Sequence, residues 1–346
     1  MVKIGMIVFA NNSGLAAQTR RLVEMVRPQR LLIIDSTPFS KNKEQHLDWY
    51  DGYESIVTHG FPKNHEIFRF VDGLTHVFSC ENPYNFYLLY LCNQRGIKSY
   101  IQSNYEFCEN LNNPHLPLPT SFLMPSYWMF DDMVHRFGED RVMYLPPPID
   151  AKEFADAAKK NLSRKGKKRF LHVVGTLAFK DRNGTVDLLN AMKFSKGDYE
   201  LVITSQHELP EKYKSSDPRV KFEIGNKERN EDLYMDFDAL ILPRRYGGLS
   251  LTTNEALMSA MVIVMPDISP NHELLDNEWL VPAEKKTVIH AREIIDVYGV
   301  DPQRLAAKMD KLAEADIRMD KVASYVLGLR EFGMNNLQSK YEQLWT

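Results

Sequence analysis

The sequence predicts an α/β protein made of two doubly wound domains, and three observations carry that expectation. Short apolar runs of strand length alternate with amphipathic helical stretches along the whole chain, the pattern of parallel sheets covered by helices. The alternation breaks once, at Tyr144 to Asp150 (YLPPPID), where three consecutive prolines force an extended segment that neither a helix nor a central strand accepts. After the break the strand and helix alternation starts again, so the boundary is placed at 148/149. The chain of 346 residues, 44% apolar, is long enough for two cores.

In the first half, KIGMIVFA, RLLIID, THVFSC and SYIQSN read as strands. The second half offers FLHVVGT, YELVITS, VKFEIG, DALILP, VIVMP and WLVPA. Beyond Asp301, QRLAAKMDKLAEAD and MNNLQSKYEQLW have helical periodicity and read as packing helices. The predicted division is 1–148, 149–325 and a C-terminal helix over 326–346 that returns to the first domain. Two sheets in series imply a cleft between domains, where small ligands commonly bind.

Composition narrows the function. A formal net charge of −3 and a pI near 6.4 give no global attraction to nucleic acid or anionic lipid. No apolar run approaches the roughly 20 residues of a membrane span, and the N-terminal MVKIGMIVFA reads as a first strand, not a signal peptide. Cys80, Cys92 and Cys108 have neither metal-ligand spacing nor an even count, which suits reduced thiols and a cytoplasmic location. The basic run Arg164 to Arg169 precedes a strand and reads as a solvated linker. Asp236-Phe237-Asp238 imitates a metal-binding DxD, but it leads into a buried strand without a third ligand, and the ten histidines form no cluster. No metal and no resident cofactor are expected.

The segment Leu240 to Leu275 is the richest in chemistry. It reads as a buried strand, a turn at Gly247-Gly248, a helix capped from among Thr252, Thr253 and Asn254, and a second buried strand. A helix N-terminus at the carboxyl edge of a parallel sheet offers N–H groups to a phosphate. Glu255, on that helix, can accept hydrogen bonds from a ribose diol, or simply complement the helix dipole. Gly175-Thr176 ends the first strand after the boundary, and Lys180 and Arg182 follow, an ammonium and a planar guanidinium suited to a diphosphate. Ser13-Gly14 opens the first helix; it lacks the GxGxxG and Walker patterns but lets a phosphate or sugar approach the backbone. Strand ends in the first half carry Glu81, Asn82 and Tyr84, then Asn104, Tyr105 and Glu106, which suit hydroxyl binding or proton transfer from an acceptor.

Together these segments resemble GT-B glycosyltransferases of the retaining group known as family 4. MPSYWMFDDMVHRFGEDRVMYLPPPID resembles the family's passage between domains, VVGTLAFKDRNGTVDLLNAM its diphosphate-binding opening of the second domain, and YGGLSLTTNEALMSAMVIVMPDISPNHELL its donor signature. The resemblance implies two Rossmann-like domains facing each other across a cleft and transfer of a hexose from a nucleotide diphosphate sugar, of UDP type. It places Gly175, Thr176, Arg245, Tyr246, Gly247, Gly248, Leu249, Ser250, Thr252 and Glu255 at the donor, with Ser13 and Gly14 opposite, and Lys180 and Arg182 at the leaving group. Glu81 and Glu106 stand as the catalytic candidates for a dedicated base should the transfer invert, and Asn82, Tyr84, Asn104 and Tyr105 as acceptor residues. Two departures stand out. The family's earlier glutamate, separated from the second by seven residues, has no counterpart here, where Arg244, Arg245 and Tyr246 occupy the neighbourhood, and the acceptor-side histidine has no clear match, since Glu81 and Tyr105-Glu106 fall about there.

The RRYGGL, NEAL, SPN, PYN and NYEF elements resemble a subgroup with many phage and bacterial members, which brings in a hydroxymethylated DNA base as acceptor beside glycans and small molecules. Residues 1–150 hold more Asp and Glu than Lys and Arg, a poor footprint for duplex DNA. A binder without turnover and a sugar-nucleotide epimerase are the alternatives from other classes.

Overall fold

The computed structural model describes residues 1–39, 44–108, 113–175, 181–248 and 250–346. The chain forms two compact units, Met1–Pro148 with Met334–Thr346, and Ile149–Gly333.

The first unit is built on a seven-stranded sheet: β1 (Ile4–Phe9), β2 (Arg30–Asp35), β3 (Glu54–His59), β4 (His76–Glu81), β5 (Lys98–Ser103), β6 (Ser121–Met124) and β7 (Val142–Tyr144). The order is β3-β2-β1-β4-β5-β6-β7, all parallel. Every residue of β1 is buried, as expected of a central strand covered on both faces. Helices α1 (Gly14–Val26), α2 (Asn64–Phe70), α3 (Tyr87–Arg95) and α4 (Phe130–Phe137) supply the cover. Edge strand β3, ESIVTH, is mostly exposed.

The second unit contains α5 (Ala155–Ser163), β8 (Lys168–Val173), α6 (Thr185–Met192), β9 (Tyr199–Ser205), β10 (Val220–Ile224), β11 (Ala239–Ile241), α7 (Leu251–Met258), β12 (Val262–Asp267) and α8 (Asn271–Leu274). It closes with β13 (Leu280–His290), β14 (Ile294–Val300), α9 (Pro302–Glu314) and α10 (Arg318–Phe332). Its sheet runs β10-β9-β8-β11-β12-β13-β14, parallel except for the antiparallel β13–β14 hairpin at one edge. Val264, Ile241, Phe170 and Leu201 share one apolar cluster of its core, and Leu171, Leu240, Ile263 and Met265 share another.

The C-terminal return differs from the expected 326–346. Residues 326–332 complete α10, which begins at Arg318 and stays with the second unit, while α11 (Met334–Glu342) belongs to the first. Its Tyr341 hydroxyl donates to the Pro146 carbonyl at 2.9 Å and accepts from Gln102 Nε2 at 3.0 Å, and Tyr100 donates to the Leu344 carbonyl at 2.6 Å. These bonds, with Trp345 edge-on to Tyr100 and Phe78, fix the tail to β4 and β5.

The basic run is also less solvated than its composition suggests. Arg164 pairs with Asp238, and Arg169 donates to Glu200 at 2.8 Å and Asp236 at 2.7 Å. Asp238 further takes the buried Lys321 ammonium at 2.6 Å, so the second acid of the DxD-like triplet is consumed in an internal ion pair. The three cysteines are free and buried. Among the described residues no helix is long and apolar enough to cross a membrane, and no group of three acids, histidines or cysteines is arranged for a metal.

Candidate active site

In the second unit two loops meet at the carboxyl edge of the sheet, one after β8 and one after β11. Asp181 caps α6, its carboxylate accepting from the amides of Thr185 at 3.0 Å and Val186 at 2.8 Å. Asn183 returns its amide to the carbonyls of Val173 at 3.0 Å and Val174 at 3.2 Å, tying the loop to the strand it left. Gly184, at φ 72, lies so near Pro243 that a Cβ would stand 2.0 Å from its carbonyl oxygen. The two loops therefore touch backbone to backbone, which only glycine permits.

Between them the arginines converge. Arg182 Nε donates to the Tyr246 carbonyl at 3.4 Å with its guanidinium over the Tyr246 ring, and Arg244 Nε donates to the same carbonyl at 3.2 Å. Arg244 is 9% exposed and also reaches Asn183 Oδ1 at 3.4 Å. The next residue along the loop after Tyr246, Gly247, has φ 104, and a Cβ there would sit 2.1 Å from an Arg182 terminal nitrogen. Seven residues separate this glycine from Glu255, and here the chain has bare backbone with a guanidinium laid against it.

Arg245 reaches the β14 hairpin. Its Nε donates to the Tyr298 carbonyl at 3.1 Å and stands 3.8 Å from Asp187, while its carbonyl accepts from the Tyr298 amide at 2.9 Å and its amide donates to the Arg182 carbonyl at 2.8 Å. Through these bonds Arg245 fastens the loop to the β14 hairpin. Arg244, left without a role by the sequence, faces Arg182 instead.

Helix α7 begins at Leu251, and its cap is Ser250, whose hydroxyl accepts from the Thr253 amide, rather than Thr252, Thr253 or Asn254. Glu255 lies beyond the first turn, which removes the helix-dipole explanation for it. It is 4% exposed, and its carboxylate accepts from Asn230 Nδ2 at 2.8 Å and the Tyr234 hydroxyl at 2.7 Å. Gly175 and Gly248 border the same loops, whereas Thr176, Lys180 and Leu249 lie outside the described residues.

Beneath the loops His172 is wholly buried. Its Nδ1 lies 2.8 Å from the Ile241 carbonyl and must carry the proton, leaving Nε2 to accept from the Thr185 hydroxyl at 2.9 Å. One imidazole thereby links the end of β11 to the start of α6. Burial, the largest influence, holds it below its usual basicity, against opposing effects from Ile241 and Asp181.

The carboxyl edge of the first unit has a different chemistry. Ser13 caps α1, accepting from the Ala16 amide at 3.2 Å, and Gly14 opens the helix. Glu81 and Tyr84 both hold left-handed backbones, φ 65 and 56, a strain that non-glycine residues rarely keep without cause. Asn82 steers that turn by accepting from the Tyr84 amide at 2.7 Å, and Asn104 Nδ2 reaches Glu81 at 3.4 Å. Burial first, and the neighbouring Glu81 second, push the Tyr84 phenol well up. Tyr105 is 4% exposed and edge-on to Trp128, with Arg136 donating to its hydroxyl at 3.0 Å. Glu106 follows it in a single 3-10 turn.

No protein-family model matches the chain, and no curated protein matches it in sequence. Solved structures do match. A glycosyltransferase from Rickettsia africae superimposes with a TM-score of 0.71 at 14% identity, over 99% of this chain and 97% of that one. Anabaena HepE in complex with UDP gives 0.69 at 10% identity, over 99% of both chains. The apo form of the lipopolysaccharide outer core galactosyltransferase WaaB gives 0.65 at 12%, also over 99% of both. The chain has the GT-B fold. At such identities the likeness speaks for architecture alone, and the two Rossmann-like sheets described above are that architecture.

Proposed function

We propose that this GT-B chain is a retaining glycosyltransferase of the family 4 type, moving a hexose from a UDP-sugar to an acceptor hydroxyl. The observation that carries the reading is the convergence of Arg182 and Arg244 on the Tyr246 carbonyl, beside Gly247 and the amino end of α7. Two guanidinia and a helix N-terminus concentrate positive potential at one point of a sheet's carboxyl edge, the arrangement a diphosphate requires. HepE, one of the chain's structural neighbours, has been solved with UDP and with UDP-glucose, which supports uridine as the nucleotide.

In this reading Arg182, Arg244 and Lys180 offset the negative charge that grows on the leaving diphosphate, and such electrostatic stabilisation usually dominates the lowering of the barrier. These cations fill the role a metal ion has in other transferases, so none is invoked. Glu255, oriented by Asn230 and Tyr234, accepts the ribose hydroxyls; an ionised carboxylate takes more than two hydrogen bonds. The leaving phosphate assists deprotonation of the acceptor, with Glu81 and Glu106 as the acids available should a dedicated base be needed. A glycan or small-molecule hydroxyl fits the acidic first half better than a DNA base does.

Titration calorimetry with UDP, UDP-glucose and GDP, followed by an assay of nucleoside diphosphate release, tests the reading. Tight UDP binding with release stimulated by acceptor is expected; no binding of any nucleotide would sink it. A binder that has lost transfer is the second reading, favoured by Gly247 standing where the family carries a glutamate. It predicts binding without release.

A further inference from the structure

The first unit exposes an aromatic row whose outer members, Phe39 and Phe61, the proposed transfer reaction leaves without a role. Phe9, at the end of β1, is buried and lies edge-on to Tyr84, centroids 5.3 Å apart. Tyr84 stacks on Phe61 at 6.1 Å, and Phe61 lies tilted against Phe39 at 4.6 Å. The last two are 58% and 50% exposed. Because β1 to β4 are parallel, the residues following them share one edge, and the row climbs from the core to the surface there.

Hydrogen bonds hold this row in place. The Gly60 amide donates to the Asp35 carbonyl at 2.9 Å, joining the loops that carry Phe39 and Phe61. Asn85 Nδ2 donates to the Pro62 carbonyl at 2.8 Å and to Asn64 at 3.0 Å, joining the Tyr84 turn to the Phe61 loop. Two exposed rings, inclined at 31° to each other, form an apolar floor on a scaffold whose loops are already braced, which lowers the ordering cost of binding. Carboxylates flank it: Asp35, which accepts from Thr37 at 2.9 Å and lies 3.0 Å from His59 Nδ1, and Glu81 in its left-handed turn. Burial alone would raise the Asp35 carboxyl, but the Thr37 and His59 hydrogen bonds outweigh it and keep it ionised.

We propose that this row is the subsite for the pyranose ring of an acceptor saccharide, with Phe61 and Phe39 as its floor and Asp35 and Glu81 as hydroxyl acceptors. The inference rests on the glycosyl-transfer reading and narrows its acceptor. A sugar ring presents axial C–H bonds on one face, which suit the negative face of an aromatic ring, and hydroxyls around its rim, which suit carboxylates. A nucleic acid would bring phosphates to the same two acids, and its affinity depends on Lys and Arg contacts.

Saturation-transfer NMR on the full chain with UDP, irradiating aromatic protons, tests the proposal. The ligands are methyl glucoside, methyl galactoside, methyl N-acetylglucosaminide and a duplex oligonucleotide containing hydroxymethylcytosine. Transfer to the ring protons of at least one glycoside is expected. F39A/F61A should bind it about tenfold or more weakly, as loss of stacked rings costs, with UDP affinity unchanged and F61W retaining the glycoside. Both phenylalanines are exposed, so folding is not at stake. Equal affinity in F39A/F61A, full binding by F61L, or binding of the oligonucleotide but of no glycoside would overturn the subsite. If the wild type bound no UDP, the transfer reading itself would fail; UDP binding with no effect of these substitutions on glycosides would remove the subsite alone.

Discussion

The two units share a strand order yet furnish their carboxyl edges with opposite chemistry. The second unit brings Arg182 and Arg244 to a loop junction made close by Gly184 and Gly247, with Glu255 buried behind it. The first unit presents Glu81, Asp35 and a row of rings, and its left-handed positions at that edge include a glutamate and a tyrosine. One repeated architecture thus carries a cationic, glycine-opened edge in one unit and an acidic, aromatic edge in the other. The contrast follows from side chains on loops, since the sheets beneath are alike.

Removing the positive charge should break this contrast most sharply. Arg182→Ala is expected to lower the release of nucleoside diphosphate by about 10²-fold or more, judging by the loss of one charge-stabilising group, with circular dichroism unchanged. Full turnover would move the leaving group elsewhere. Next, Glu255→Gln should weaken UDP binding in calorimetry by about tenfold, the scale of a lost hydrogen bond to a charged group. Glu255→Ala is the poorer probe, because it also leaves Asn230 and Tyr234 without their buried acceptor, at about 1–3 kcal/mol of stability.

Glu81→Gln sharpens the other side. It should slow transfer to acceptor by roughly tenfold, toward the low end of acid–base contributions, while UDP affinity stays level. A fall in UDP affinity would place Glu81 on the phosphate side. The smallest effect concerns His172, which burial keeps below its ordinary value of 6.5. The unfolded chain then binds a proton that the folded chain resists, so His172 contributes stability above about pH 6.5 that is lost as pH falls below it. Melting temperatures at about pH 7.5 and pH 5.5 should converge in His172→Asn, which keeps a donor for Ile241 without the titration. An unaltered difference would assign the acid sensitivity to other groups.

Much of the sheet is legible in the sequence because central strands are continuous apolar runs: IGMIVF, RLLIID and VIVMP need no context to read as buried. Strand β3 is not, because an edge strand with exposed Glu54, Ser55 and Val57 carries no such run. The β14 hairpin is hidden for a similar reason, since EKKTVIHAREIID is largely solvated. Helix α10 buries only Lys321, Gly328 and Phe332, so its periodicity is faint, and the boundary expected at 325/326 falls inside it. At the site, residue types announce the chemistry but not the aim of each side chain. RRY places two identical guanidinia in sequence, and only the structure shows that Arg245 bonds the Tyr298 carbonyl while Arg244 reaches Asn183. Ser250, Thr252, Thr253 and Asn254 are all good caps, and the backbone at Ser250 decides among them.

The return of Met334–Thr346 to the first unit means that this lobe is assembled from both ends of the polypeptide, with the whole second lobe inserted between them. A fragment ending at Pro148 would leave Gln102, Tyr100 and Phe78 without the tail that covers them. Independent production of that lobe therefore calls for a permuted gene in which residues 334–346 are fused ahead of Met1 or supplied as a peptide. Binding of that peptide to the 1–148 fragment would offer a direct readout of how tightly the last helix locks the lobe it completes.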